Sequence, residues 1–161
     1  MSRRIAPEPL DPAAFAPFGD VLEAAGAPDR IINAGLCGRF HDRARLDFGP
    51  AGRAGISIFR AALRRLPLTL DLLERHPEGS QAFVPMSADG FLVVVAPDAG
   101  GQPGRPRAFL TRPGQGVNVL RNTWHGVLTP LAGSGLFAVI DRIGPGANLE
   151  EHHLADPWTV G

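Results

Sequence analysis

The chain has 161 residues, 44% of them hydrophobic, and its sixteen basic and sixteen acidic side chains cancel to a net charge of zero. That length suggests one domain spanning residues 1–161, the apolar fraction excludes intrinsic disorder, and the lack of a basic surplus excludes nucleic acid as a partner. Every basic residue is an arginine, and with no lysine or tyrosine present, Schiff-base chemistry and catalysis by a tyrosine hydroxyl are excluded too.

In chain order, Asp11-Pro12-Ala13-Ala14-Phe15 reads as a helix start, with Asp11 as N-cap and Pro12 at the first helical position. Pro17 stops it, Asp20–Glu23 begins a strand, Gly26–Asp29 is a turn and Ile31–Asn33 is a short extended piece. Arg39–Arg45 is polar around Phe40 and takes no assignment. Gly55–Ala61 alternates as a strand, with Ile56, Ile58 and Arg60 on one side and Ser57 and Phe59 on the other. Pro67–Arg75 places Leu68, Leu72 and Arg75 at helical spacing and predicts a short helix that ends before His76-Pro77.

From Ser80 onward the pattern is β. Gln81–Pro85, Phe91–Ala96, Arg107–Thr111, Val117–Leu120 and Leu136–Ile140 predict strands, separated by turn-forming stretches such as Arg112-Pro113-Gly114-Gln115-Gly116. Twenty glycines and sixteen prolines, dispersed without a period, suit many short strands in a mainly β, small antiparallel barrel. Phe91–Ala96 is apolar on both faces, so one side should meet the core and the other a helix or partner chain. The tail from Ala147 to Gly161 reads as irregular, anchored by Trp158. Cys37 is the only cysteine, which excludes an internal disulfide and a cysteine zinc site. No signal core precedes Pro7 and no run is long enough to span a membrane, so a soluble cytoplasmic protein is expected.

Two segments carry chemistry. In Glu74-Arg75-His76-Pro77-Glu78-Gly79-Ser80-Gln81-Ala82-Phe83-Val84-Pro85, alternation puts Gln81 with Phe83 and Pro85, facing a barrel interior or its mouth. The small apolar side, Ala82, Val84 and Met86, fits a buried layer. In Gly116-Val117-Asn118-Val119-Leu120-Arg121-Asn122-Thr123-Trp124-His125, Gly116 can turn the chain, and His125 opens the extended piece Gly126–Thr129. Either histidine alone would be structural; two histidine-bearing turns surrounded by amides and guanidinium groups suggest a shared polar pocket.

These segments are similar to the two motifs of the cupin superfamily. The strings Leu73-Glu74-Arg75-His76-Pro77, Gly79–Met86, Gly116-Val117-Asn118, Arg121-Asn122-Thr123-Trp124-His125 and Ile140-Asp141-Arg142 resemble the ureidoglycolate lyase family more closely. Ile32–Leu36 and Arg39–Asp42 extend the likeness to about Ile5 through Trp158. The resemblance implies a cupin-like β-barrel or jelly roll with a few short helices, a homodimer, and cleavage of (S)-ureidoglycolate to glyoxylate and urea in allantoin breakdown.

Such an elimination needs a base for the carbinol hydroxyl, an acid for the departing urea nitrogen, and partners for a small carboxylate and a urea group. His76 and His125 are candidate base and acid, with Gln81 and Asn118 beside them as catalytic candidates. Arg121, Arg60 or Arg75 would hold the carboxylate, Asn122 would address urea or the hydroxyl, and His41 would close the site from a loop or from the partner chain. Asp141-Arg142 reads as a structural pair at a strand end, and His152-His153 as solvated surface. His76, His125 and Glu74 are also candidate ligands for a divalent metal such as Ni2+ or Zn2+; Gln81 stands where a cupin metal site carries glutamate, which points to a weakly held metal or to none being essential. The rival readings are a ureidoglycolate amidohydrolase, a non-catalytic cupin that binds a small carboxylate, and a metal-dependent oxygenase or isomerase.

Overall fold

A computed structural model describes residues 3–161. Its elements in chain order are β1 (Arg4–Ile5), β2 (Glu8–Pro9), α1 (Pro12–Phe15), β3 (Gly19–Leu22), β4 (Arg30–Ile32), β5 (Cys37–Arg39), β6 (Arg53–Arg60), β7 (Leu68–Arg75), β8 (Gln81–Pro85), β9 (Phe91–Ala96), β10 (Arg107–Leu110), β11 (Gly116–Val119), β12 (Trp124–His125), β13 (Thr129–Pro130), β14 (Leu136–Ile143) and β15 (Glu150–Val160). One sheet runs β1-β15-β7-β12-β9-β10-β2, with β13 also paired to β9. A second runs β3-β11-β8-β14-β6, and β4-β5 is a separate ribbon. The two large sheets curl toward each other into a mainly β, cupin-like half-barrel, as expected.

Period-two alternation sorts the side chains. On β9, Phe91, Val93 and Val95 point into the space between the sheets, where they meet Phe15, Phe109 and Val139. Leu92, Val94 and Ala96 point the other way, into a second cluster with Leu70, Leu73 and Trp124. Both faces of β9 are buried, and the chain's own flanking strands provide the second cover, not a helix. Each fully buried Phe or Leu side chain stabilises the fold by about 1.5–3 kcal/mol, so these clusters make the half-barrel a rigid frame for the site. The Asp11 cap forms as expected, its Oδ1 accepting from the Ala14 backbone N–H.

Four expectations need correction. Leu68–Arg75 is a strand, because Leu68-Thr69-Leu70-Asp71 alternates with period two and pairs with both β12 and β15. The tail is an eleven-residue strand, β15, whose irregularity between His153 and Trp158 accommodates Pro157. Trp158 does pack against the second cluster. Of the small apolar side of β8, only Ala82 is buried; Val84 and Met86 lie exposed on the outer face of the five-stranded sheet. Gly116 does not turn the chain: the turn is made at Gly114 (φ +81°), and Gly116 allows close approach, since a Cβ there would lie 2.6 Å from the Phe83 carbonyl oxygen.

Candidate active site

The two histidine-bearing turns meet. His76 follows β7 directly, and its carbonyl oxygen accepts from the Asn122 N–H at 2.9 Å. Asn122 sits at φ 63°, a left-handed conformation that asparagine tolerates, and this tight turn leads into β12. On β12 Trp124 faces the outer cluster and His125 the inner one, where it is 3% exposed. The imidazoles of His76 and His125 lie 5.1 Å apart, ring centre to ring centre, at 51°. Phe83 flanks His125 at 6.4 Å.

Gln81 belongs to this group. In the ladder it stands opposite Val119 on one side and Asp141 on the other, so all three share the inner face. Its Nε2 donates to Asp141 Oδ2 at 3.1 Å, while its Oε1 lies 3.0 Å from His76 Nε2. His76 Nδ1 lies 2.7 Å from the carbonyl oxygen of Asn148, whose side-chain oxygen accepts from the Glu78 N–H. Both ring nitrogens of His76 therefore face acceptors, which suits a ring that donates.

His125 has the opposite character. Its Nδ1 lies 3.1 Å from the Thr123 carbonyl oxygen, which can only accept, so this nitrogen carries the hydrogen. Nε2 then presents a lone pair, buried and without a hydrogen-bond partner, 3.7 Å from Glu74 Oε1. Burial, reinforced by the neighbouring His76, pushes the His125 pKa down to about 4, so the ring is neutral at pH 7. Glu74 stands opposite His125 in the β7–β12 ladder. Burial and the nearby Glu151 raise its carboxyl above the ordinary range, against the pull of His76. Behind His125, Phe83, Phe91, Val93, Val117 and Val119 line an apolar cavity of about 20 Å³, the size of one water.

Of the remaining residues nominated by the sequence, Arg121 lies beside this group and the others point away from it or sit elsewhere. Asn118 pairs in register with Ala82 and Asp20, which places it on the outer face, where its amide donates to Asp20 and to the Arg45 carbonyl. Arg60, opposite Leu136, is also outward and exposed. Arg75 lies over the Trp124 ring and pairs with Glu150 and Asp98. Arg121 stands beside the His76 turn, its Nε donating to the Pro77 carbonyl, with Asp47 and Glu78 at 3.7 and 4.0 Å. Asn122 contributes its backbone while its side chain is exposed. His41 sits at the foot of the β4–β5 ribbon near Asp29, Arg30 and Arg39. Asp141 and Arg142 do not pair: alternation sends them to opposite faces, and Arg142 donates to the Pro145 carbonyl. His153 is exposed, whereas His152 packs against Trp124.

Asp141 and Asn148 were missed by sequence reasoning. Asp141 could have been found from its alternation with Val139, which places it on the Gln81 side of β14; for Asn148, a single polar residue in a loop, no such signal existed.

As metal donors, Glu74, His76 and His125 bring three ligand atoms within 4.8 Å of one another. The unpartnered Nε2 of His125 and the Glu74 carboxylate suit a divalent cation, with His76 Nε2 as third donor once it leaves Gln81.

A family profile described as "Ureidoglycolate lyase" matches residues 2–161. The chain is 64% identical to "Ureidoglycolate lyase" of Rhodobacter capsulatus over 98% of both chains. It is 54% identical to "Ureidoglycolate lyase 2" of Rhizobium meliloti over 94% of both. It is 53% identical to "Ureidoglycolate lyase" of Brucella melitensis biotype 1, over 92% of this chain and 89% of that one.

Proposed function

Because the chain belongs to the ureidoglycolate lyase family, we propose that it cleaves (S)-ureidoglycolate to glyoxylate and urea by acid/base-assisted C–N elimination, as a step of allantoin breakdown. The observation that carries the mechanism is the facing pair His125 Nε2 and Glu74 Oε1. Two acceptors 3.7 Å apart, one of them buried and unpartnered, call for a donor between them, and a carbinol hydroxyl supplies one.

The substrate hydroxyl donates into that pair, and the raised carboxyl of Glu74 takes the proton more readily than an ordinary carboxylate. The freed oxygen electrons form the glyoxylate C=O as the C–N bond breaks. His76 gives its Nε2 proton to the departing nitrogen, which leaves as urea, and the Asn148 carbonyl steadies the resulting ring through Nδ1. Gln81 addresses the urea group, and Arg121, beside His76, addresses the substrate carboxylate. Glu74, His125 and His76 are also the residues that would hold a divalent ion such as Ni2+ or Zn2+; bound there, it would supply Lewis acidity, and His76 Nε2 would then be a ligand in place of the proton donor. Both proton transfers run through side chains.

With racemic ureidoglycolate, purified protein is expected to release urea and glyoxylate in equal amounts from one enantiomer only, with or without a chelator. Ammonia without urea would replace this reading by the amidohydrolase, and no turnover by the non-catalytic binder. Loss of turnover on chelation would make the metal essential.

The chain acts as a homodimer in this reading. Ile56 and Ile58 on the edge strand β6, 74% and 59% exposed, share the outer sheet face with Val84 and Met86 across β14, and such a patch favours a second copy. Light scattering should give twice the 17.1 kDa chain mass, and Ile56→Asp/Ile58→Asp should give the single mass. A wild-type monomer would refute it. A cytoplasmic setting is supported by the single cysteine, Cys37, which is free and exposed, as a thiol in a reducing compartment is.

A further inference from the structure

Resting on the lyase reading above, we propose that Asp141 binds substrate: its Oδ1 accepts from the terminal NH2 of the urea group, and this anchor decides which enantiomer is cleaved.

Asp141 and Gln81 are register partners on β14 and β8, both facing inward. A carboxylate only accepts, so the end of the Gln81 side chain turned to Asp141 is its NH2 group, and Nε2 donates to Oδ2 at 3.1 Å. That bond uses one carboxylate oxygen. The other, Oδ1, takes no hydrogen bond from any described residue, yet it is not sealed from water. Its surroundings explain why no donor of the chain reaches it. Gly55, opposite Asp141 on β6, brings no side chain, and Ile143 lies so close over its place that a Cβ on Gly55 would collide with it. Arg142 sends its guanidinium to the Pro145 carbonyl on the other face, and Arg121 is engaged by Pro77, with Asp47 and Glu78 near it. The inner face therefore holds an anionic acceptor with an open oxygen, and a single amide separates it from His76.

Of the groups on the substrate, the urea fits this edge. It sets N–H donors beside a carbonyl oxygen. Asp141 Oδ1 takes the donor, and the second hydrogen of Gln81 Nε2 is free to meet the carbonyl. The substrate carboxylate brings only acceptors and a like charge, so Asp141 repels it. With the hydroxyl at Glu74 and His125, the carboxylate beside Arg121 and the urea at Asp141, three different groups on one carbon each have their own partner. The mirror-image substrate can keep its hydroxyl in place only by setting its carboxylate against the Asp141 carboxylate.

Asp141→Ala removes the acceptor, and two uncleaved probes read the effect by calorimetric titration. N-carbamoylglycine is the substrate without its hydroxyl; glyoxylate has the carboxylate without the urea. The Kd for N-carbamoylglycine should rise about 10- to 10²-fold, the effect of losing one hydrogen bond to a charged group, while that for glyoxylate changes less than about twofold. The ratio of kcat/KM between the two ureidoglycolate enantiomers should fall by about tenfold or more. Asp141→Asn keeps the volume and serves where circular dichroism shows the alanine variant unfolded: with its oxygen facing Gln81, its NH2 meets the urea NH2, donor against donor, and the same split is expected. Equal weakening of both probes would reduce Asp141 to a structural role, and an unchanged Kd for N-carbamoylglycine would mean that it meets no urea; either result overturns the proposal. So would a wild type that binds glyoxylate but not N-carbamoylglycine. The titrations need no turnover, so the expected split without urea release would strike the lyase reading alone.

Discussion

His125→Ala is expected to lower kcat on ureidoglycolate by about 10² to 10⁴-fold, the usual effect of one positioned acid or base group. The residue presents the only nitrogen lone pair that the site holds buried and unpartnered among the described residues. Without it the substrate hydroxyl meets the Glu74 carboxylate alone, unsteered by a second acceptor. The alanine also leaves a void beside the 20 Å³ cavity, so part of any loss could come from a loosened core. His125→Asn separates the effects: it fills most of the volume and presents no lone pair at the Nε2 position. Circular dichroism and urea midpoints near wild type, with activity down by the same factor in both variants, are the expected result. Wild-type turnover in either folded variant would remove His125 from the reaction.

Acid should destabilise the fold through the same ring. Above about pH 6.5 His125 is neutral in both the folded and the unfolded chain, and its protonation contributes nothing. As the pH falls further the unfolded chain takes up a proton near 6.5, whereas the folded chain refuses it until about 4. The unfolded state binds more protons throughout that window, so stability drops as pH falls and levels off below about 4. The shift corresponds to on the order of 3 kcal/mol. Glu74, whose carboxyl is raised, works in the opposite direction near its own titration, so wild type alone would understate the effect. Urea unfolding of wild type and His125→Gln at pH 7 and pH 4 isolates the histidine share as the difference between the two losses. Equal losses would mean that the ring is not held neutral by burial.

Two histidine-bearing turns set among amides and guanidinium groups suggested a shared pocket, but the sequence did not show that residues 76 and 125 meet, because β7, which His76 follows, read as a helix. Alternation decided against Asn118, which lies opposite Ala82, yet its sequence neighbourhood beside Gly116 resembled a site motif. Arg60 and Arg75 were nominated by charge, and charge carries no facing: one is outward and the other is engaged by Trp124, Asp98 and Glu150. The two errors of secondary structure have one origin. Leu68-Thr69-Leu70-Asp71-Leu72-Leu73 satisfies both periods, and Glu150–Val160 is too charged to look like a strand, so each takes its form from the other by pairing. A helix at 68–75 would have carried Glu74 away from His125; only the strand sets them opposite each other.

Asn148 joins the His76 ring across 72 positions of chain, and β15, which begins two residues later, is zipped along β7. A chain cut just before Asn148 would keep both imidazoles yet lose the carbonyl that faces His76 Nδ1, so the ring's orientation depends on a stretch far away in sequence that β15 fastens beside β7.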